Sequence, residues 1–382
     1  QKLGRLEEAM ASCEKALAIK PDFAEAHYNL GVALQDLGKS EEAVASYRKA
    51  LTLKPDYADT HNNLGSALND LGRLEDAIAS YRKSLDINAD NTVVLCNLGN
   101  TLRHIAYERS RSDASERFHS NGNKTYMGKS KKEELWDDVL TCANQALSIK
   151  SHDTRGLALK AAALIGLNKL DDWGFLCDFD RLIETQVISV PAGYKDLRTF
   201  NDALLRRCAQ DKNQTFEPRH KAIRVGQRIK LLHMDPTPGP VSSLLEFVNK
   251  AAKSYCAENP IDPRHPFLAQ STSKWKIFAW GSILSRQGHH VPHIHSDGWL
   301  SGVYYGKLPE VMRTENKKQE GCIEFGRPQK YIDNQYDPDF RVVYPQEGMM
   351  ILFPSYFYHR TIPFDADDTR FTVGFDLVPL SQ

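Results

Sequence analysis

Tyr28-Asn-Leu-Gly-Val-Ala-Leu-Gln-Asp-Leu-Gly38 returns 34 residues later as Asn62-Asn-Leu-Gly-Ser-Ala-Leu-Asn-Asp-Leu-Gly72, and its centre returns once more as Asn97-Leu98-Gly99. The closing Leu-Gly pair also stands at Leu3-Gly4, and Pro21 and Pro55 keep the same step after an Ala-Leu-x-x-Lys segment. Within one interval, apolar and small residues recur at helical spacing, first at Ala24, Tyr28, Leu30, Gly31 and Leu34, then at Ala43, Tyr47, Ala50 and Leu51. Each unit therefore holds two helices. Small residues at Gly31, Ala43 and Ala50 let the pair approach closely, and the proline ends the second helix before the next unit begins. Residues 1–20 match only the second helix of a unit, so the chain is expected to start mid-repeat, with further repeats upstream.

Ala146-Leu147-Ser148-Ile149-Lys150 repeats Ala16-Leu17-Ala18-Ile19-Lys20, but it lies 62 residues beyond Ser84-Leu85-Asp86-Ile87-Asn88 rather than 34. That slip places an insertion at about 106–133, carrying Arg109, Arg111, Arg117, Lys124, Lys129, Lys131 and Lys132. Its polarity reads as a solvated excursion rather than a docking loop. A 34-residue two-helix unit resembles the tetratricopeptide repeat. These repeats are similar to those of O-linked N-acetylglucosamine transferase, in which an asparagine ladder binds substrate proteins. The resemblance implies that Asn29, Asn63 and Asn97 grip polypeptide backbone through their side-chain amides. The other reading is that they tie neighbouring elements together.

The second half of the chain has a different signature. Arg198–Arg207 and Val241–Tyr255 have helical spacing, after which short β-branched and aromatic runs follow one another at Trp275–Leu284, Trp299–Tyr305, Cys322–Phe325, Phe340–Val343, Met349–Phe353 and Arg370–Leu377. Closely spaced strands without long intervening helices predict a β-sandwich or barrel, with a jelly-roll core expected. Inside this region, residues 289–297 hold His289, His290, His293, His295 and Asp297. If that segment is extended, alternate side chains share a face, which aims His293, His295 and Asp297 into one cavity. His359, after the apolar run that ends at Phe353, supplies a further corner. Imidazoles and a carboxylate around a metal with open positions are the ligand set of non-haem Fe(II) oxygenases. His289 and His290 are read as non-ligands.

The stretch His293-Ile-His-Ser-Asp-Gly-Trp-Leu-Ser-Gly-Val-Tyr-Tyr305, with Gly348 to His359 and Arg370 downstream, resembles 2-oxoglutarate/Fe(II)-dependent oxygenases fused to tetratricopeptide repeats, of the prolyl-hydroxylase-like superfamily. The resemblance implies a double-stranded β-helix, bound Fe(II), and 2-oxoglutarate as cosubstrate with dioxygen. Two ligand sets stay open: His295, Asp297 and His359, which match the general His-x-Asp…His pattern, or His293, His295 and His359. Arg370 is expected to hold the far carboxylate of the cosubstrate, a dicarboxylate that needs a fixed bidentate cation, with Thr372 adding a hydroxyl. Tyr304 either adds a phenolic hydrogen bond there or packs as an ordinary aromatic. No catalytic residue is assigned beyond the metal ligands.

The whole chain therefore reads as an α + β multidomain protein: a tetratricopeptide-repeat α-solenoid over 1–185, then an oxygenase domain over 186–382 with flanking helices and a β-core at about 272–379. Its 49 basic and 49 acidic residues cancel, so neither nucleic acid nor an anionic membrane is an expected partner. Seven scattered cysteines without a Cys-x-x-Cys pair read as free thiols. With no charged-then-apolar leader and no apolar run of about 20 residues, the expected location is the cytosol or nucleus. The leading functional expectation is a hydroxylase acting on a protein or peptide captured by the repeats. The alternatives are an oxygenase of small molecules whose repeats serve assembly, and a non-catalytic scaffold carrying a cupin-like domain.

Overall fold

A computed structural model describes residues 2–117, 130–210, 223–230, 239–312, 318–328 and 340–380. They divide into two compact units, 1–167 and 168–382. The division falls earlier than the expected 185/186, because α9 (Leu170–Leu176), α10 (Phe179–Leu182) and β1 (Glu184–Val187) belong to the second unit. There β1 pairs antiparallel with β7 (Met349–Pro354), and Phe179 meets Phe357 edge-on at 5.0 Å.

In the first unit the repeats become helix pairs: α1 (Lys2–Ile19), α2 (Ala24–Asp36), α3 (Ser40–Leu53), α4 (Ala58–Asp70), α5 (Leu74–Ile87), α6 (Thr92–Arg117), α7 (Lys131–Ile149) and α8 (Thr154–Gly166). Each packs on its neighbours in sequence, and α2, α4, α6 and α8 also touch in succession. The first and second helices of a unit meet where glycine faces a buried tyrosine: a Cβ on Gly31 would lie 2.5 Å from Tyr47, and one on Gly65 2.7 Å from Tyr81. The Leu-Gly pair closes each first helix. Lys39 N–H donates to Leu34 O and Arg73 N–H to Leu68 O, with Gly38 and Gly72 at φ 76° and 74°, the left-handed geometry that glycine adopts without strain.

The same turn recurs at Leu167-Asn168, with Asn168 at φ 55°. Asparagine tolerates this conformation, so the repeat geometry continues through α8, where the sequence shows no Leu-Gly pair. The expected insertion begins as helix, since α6 runs on to Arg117 and carries Arg109 and Arg111. Lys131 and Lys132 open α7 behind a Ser130–Glu133 capping box. Lys124 and Lys129 lie outside the described residues.

The second unit holds α11 (Leu197–Ala209), α12 (Pro240–Glu258) and two antiparallel sheets. The larger contains β1, β2 (Ile223–Lys230), β3 (Trp275–His290), β4 (Leu300–Lys307), β7 and β9 (Arg370–Pro379), in the order β1-β7-β4-β9-β3-β2. The smaller runs β6-β5-β8, from Arg341–Val343, Ile323–Phe325 and His359–Thr361. All six expected runs contain strands; β1, β2 and β8 were not expected, being short or lacking a run of apolar residues. The apolar stripe of β7, with Met350, Ile351, Leu352 and Phe353 all buried, packs the centre of this unit. Among the described residues, no helix is long and apolar enough to cross a membrane.

Gly31→Ala and Gly65→Ala should each lower stability in denaturant unfolding by about 1–3 kcal/mol, the usual cost of overpacking. Gly174→Ala, where an added Cβ meets nothing within 4 Å, should be neutral or slightly stabilising.

Candidate metal centre

A cavity of about 490 Å³ opens between the two sheets of the second unit. His293, His295 and His359 converge in it, with one nitrogen from each within 4.8 Å of the others. The backbone brings them together. His293 N–H donates to His359 O and His359 N–H to His293 O, both at 3.0 Å, an isolated antiparallel bridge that joins the segment after β3 to the start of β8. One residue pair later, His295 N–H donates to Ser355 O at 3.0 Å.

Each ring is held through Nδ1. His293 Nδ1–H donates to Val291 O at 2.8 Å, His359 Nδ1–H to Phe357 O at 3.0 Å, and His295 Nδ1–H to Asp376 Oδ1 at 2.6 Å. Those acceptors carry no proton to give back, so the tautomer follows and every Nε2 keeps its lone pair for a metal. Burial, followed by the neighbouring imidazoles of His293 and His295, holds the His359 pKa well below its ordinary value. A neutral imidazole here binds metal without first losing a proton. Phe353 and Phe325, with ring centroids 4.7 and 6.0 Å from that of His359, wall off one side.

Asp297 lines the same cavity but stands outside the histidine cluster, exposed, with Ser296 Oγ–H donating to it at 3.4 Å. The expectation that it shares a face with the histidines assumed an extended segment. The chain instead leaves β3 at His290 and turns at Ser296-Asp297, so the alternation ends before the acid. Of the two ligand sets, the geometry assembles His293, His295 and His359. His290 also lines the cavity, its Nδ1 3.1 Å from Thr361 Oγ1.

The side expected to take the cosubstrate is built by β9, where Arg370, Thr372, Gly374 and Asp376 alternate onto the cavity face. Arg370 is 2% exposed, and its Nε and Nη1 have no hydrogen-bond partner among the described residues. Its guanidinium lies 5.2 Å from the Tyr305 ring centroid, and the Tyr305 hydroxyl is likewise buried without a partner. Burial pushes the Tyr305 phenol up to about 12, against the pull of Arg370, so it stays a neutral donor. A guanidinium with two unused donors and a phenol buried beside it offer a carboxylate several donors at once, which is the requirement expected of a 2-oxoglutarate anchor. Tyr304, for which a hydrogen bond at this site and ordinary packing were both open, takes the second role: it lies on the other side of β4, where its hydroxyl donates to Asn201 Oδ1 at 2.6 Å. Neighbours along a strand face opposite ways, so Tyr305 rather than Tyr304 lines the cavity.

Three contributors escaped the sequence reading: Tyr305, Asp376 and the Ser301–Ser355 hydroxyl pair at 2.7 Å. The available signal was Asp376 itself, a lone acid within the apolar run Val373-Gly-Phe-Asp-Leu-Val378. In the first unit, the asparagines are linked to one another's helices. Asn63 Nδ2 donates to the Tyr28 hydroxyl at 3.3 Å, Asn97 Nδ2 to Asn62 Oδ1 at 3.1 Å, and Asn62 Nδ2 to Asn63 Oδ1 at 3.1 Å. This chain of amides ties α2, α4 and α6. Asn29 is exposed and stands outside it.

Residues 278–376 match the family model described as "Putative 2OG-Fe(II) oxygenase", and residues 2–38 and 28–92 match models described as "TPR repeat" and "Tetratricopeptide repeat". Among solved structures, the chain is similar to "Crystal structure of MamA" at 19% identity, over 44% of this chain and 83% of that one, with a TM-score of 0.36. It is similar to "Crystal structure of YrrB: a TPR protein with an unusual peptide-binding site" at 18% identity, over 45% and 75%, with a TM-score of 0.35. None of the curated proteins compared matches it. The chain thus carries tetratricopeptide repeats over 2–92 and, over 278–376, the segment from β3 to β9 that holds the histidines, a domain that matches the 2OG-Fe(II) oxygenase model.

Proposed function

We propose that this protein is a 2-oxoglutarate- and Fe(II)-dependent dioxygenase that hydroxylates a residue of a polypeptide held by its repeats. The observation that carries the first part is Arg370: an uncompensated buried charge costs on the order of 3–5 kcal/mol, and this one lies in the same cavity as three histidines with free Nε2 lone pairs. A scaffold with a vestigial site has no use for that cost. His293, His295 and His359 would hold the iron, and Arg370, Tyr305 and Thr372 would hold the far carboxylate of 2-oxoglutarate. Iron bound with 2-oxoglutarate and dioxygen supplies oxidative decarboxylation and C–H hydroxylation. The protein's own contribution is placement: neutral imidazoles in one tautomer, a cation fixed for the dicarboxylate, and aromatic walls at Phe325 and Phe353 that exclude water.

The repeats supply the second part. Asn63 and Asn97 each spend one N–H on a neighbouring repeat, which orients the amide and leaves a second N–H for a polypeptide backbone. Free cysteines throughout agree with a reducing compartment, the cytosol or nucleus.

Succinate formation from 2-oxoglutarate, measured with Fe(II) and no prime substrate, should be detectable for the native protein. Arg370→Gln should weaken 2-oxoglutarate binding by roughly ten- to a hundredfold, the worth of about 1.5–3 kcal/mol for bonds to a charged group. An unchanged affinity removes Arg370 from the site.

Anaerobic Fe(II) titration separates the ligand sets. His293→Ala and His359→Ala should abolish stoichiometric binding, whereas Asp297→Ala should retain it. The reverse result for Asp297 and His293 restores the carboxylate to the coordination sphere.

Replacing Asn29, Asn63 and Asn97 together with alanine should weaken capture of a protein substrate while leaving substrate-free succinate formation unchanged. At about 0.5–1.5 kcal/mol per amide, the loss is one to three orders of magnitude in affinity. Unaltered hydroxylation kinetics in that variant would favour a small-molecule substrate.

A further inference from the structure

We infer that Asp376 is a positioning residue that orients His295 toward the metal and supplies, from outside the coordination sphere, the negative charge that an all-histidine triad lacks. The inference rests on the reading of the three histidines as ligands. It starts from an asymmetry among them. His293 and His359 direct Nδ1–H at neutral backbone carbonyls, whereas His295 directs its own at a carboxylate 2.6 Å away. Only His295 therefore gains anionic character, because a carboxylate on Nδ1–H makes Nε2 a stronger electron donor to a metal.

Asp376 is built for this contact, and no surface cation among the described residues shares it. The two side chains are 12% and 15% exposed, and the bonds Asp376 Oδ1 accepts come from His295 Nδ1 and from Ser301 Oγ, the latter at 2.6 Å. Ser301 is 0% exposed and so is Ser355, whose hydroxyl stands 2.7 Å away; Ser301 Oγ also lies 3.0 Å from His295 Nδ1, so the Ser355–Ser301 pair holds carboxylate and ring against each other. With Ser301 donating to Asp376, Ser355 donates to Ser301. Room for this cluster comes from Gly298: a Cβ there would lie 2.6 Å from Ser355 Oγ and 3.3 Å from Asp376 Cβ. The glycine and tryptophan that follow His-x-His-x-Asp thus serve the carboxylate, with Trp299 N–H donating to Leu377 O at 2.9 Å beside it. One strand, β9, then carries both the cosubstrate cation Arg370 and the carboxylate that orients a ligand.

The test uses Co(II) as the metal probe on the purified full chain, with affinity and visible d–d absorption as readouts. Asp376→Ala should weaken Co(II) binding by about ten- to a hundredfold, the usual effect of removing a carboxylate behind a metal-bound histidine, and should shift the bands. Asp376→Asn, nearly isosteric and able to accept from Nδ1–H without the charge, should fall between native and alanine variants. In the metal-free protein, proton NMR should show a strongly low-field Nδ1–H resonance that is lost in His295→Ala and in Asp376→Ala. Native affinity and native bands in Asp376→Ala overturn the positioning role, and native affinity in Asp376→Asn overturns the role of charge. If the native protein and His359→Ala both fail to take up Co(II), the ligand reading itself falls and this inference with it. Uptake by the native protein and loss in His359→Ala, with Asp376→Ala unaffected, refutes this inference alone.

Discussion

The reciprocal backbone bond between His293 and His359 is the contact on which the site depends. Two N–H···O bonds of 3.0 Å fasten the segment that leaves β3 to the first residue of β8, and so join the larger sheet to the smaller at the point where the histidines meet. Side chains that share a bridge pair stand close on one side of the backbone, which accounts for the 4.3 Å between the two ring centroids. His295 arrives from the same segment through its own bond to Ser355. The triad is thus set by backbone pairing, with rotamers then fixed by what each Nδ1 finds.

Against that ordered corner stands a deliberate deficit. Arg370 Nε and Nη1 and the Tyr305 hydroxyl are buried without hydrogen-bond partners among the described residues, whereas Glu324 accepts from Arg327 and twice from Arg360. Folding alone would replace such an arginine with an apolar residue. Its persistence is understandable where an anion completes it, and the strand that carries it also carries Thr372 and Asp376 on the same face.

The helical unit solves a different problem, that of stacking short helices none of which buries enough surface alone. Glycine against tyrosine sets how near two helices of a unit come, and the amide chain from Tyr28 through Asn63 and Asn62 to Asn97 sets how successive units register. The histidines repeat this logic at the unit ends, where His27 and His61 each donate from Nε2 to the carbonyl of the preceding proline, both at 2.9 Å.

The sequence by itself determined the repeat unit and its two helices, because a 34-residue period writes the same local pattern over and over; the glycine contacts followed only in part, Gly31 and Gly65 facing a tyrosine but Gly99 meeting Leu159 and Cys142. It also showed a group of histidines that could hold a metal among short strands, since residue type and crowding survive without coordinates. Which side chains face one another was decided only by tertiary structure. Asp297 left the cluster because the chain turns at Ser296-Asp297, and Tyr305 displaced Tyr304 because sheet pairing chooses which parity of β4 faces the cavity. Asp376 reaches His295 across a separation of 81 residues. Alternation along a strand says which residues share a face; only the pairing of distant strands says what that face meets.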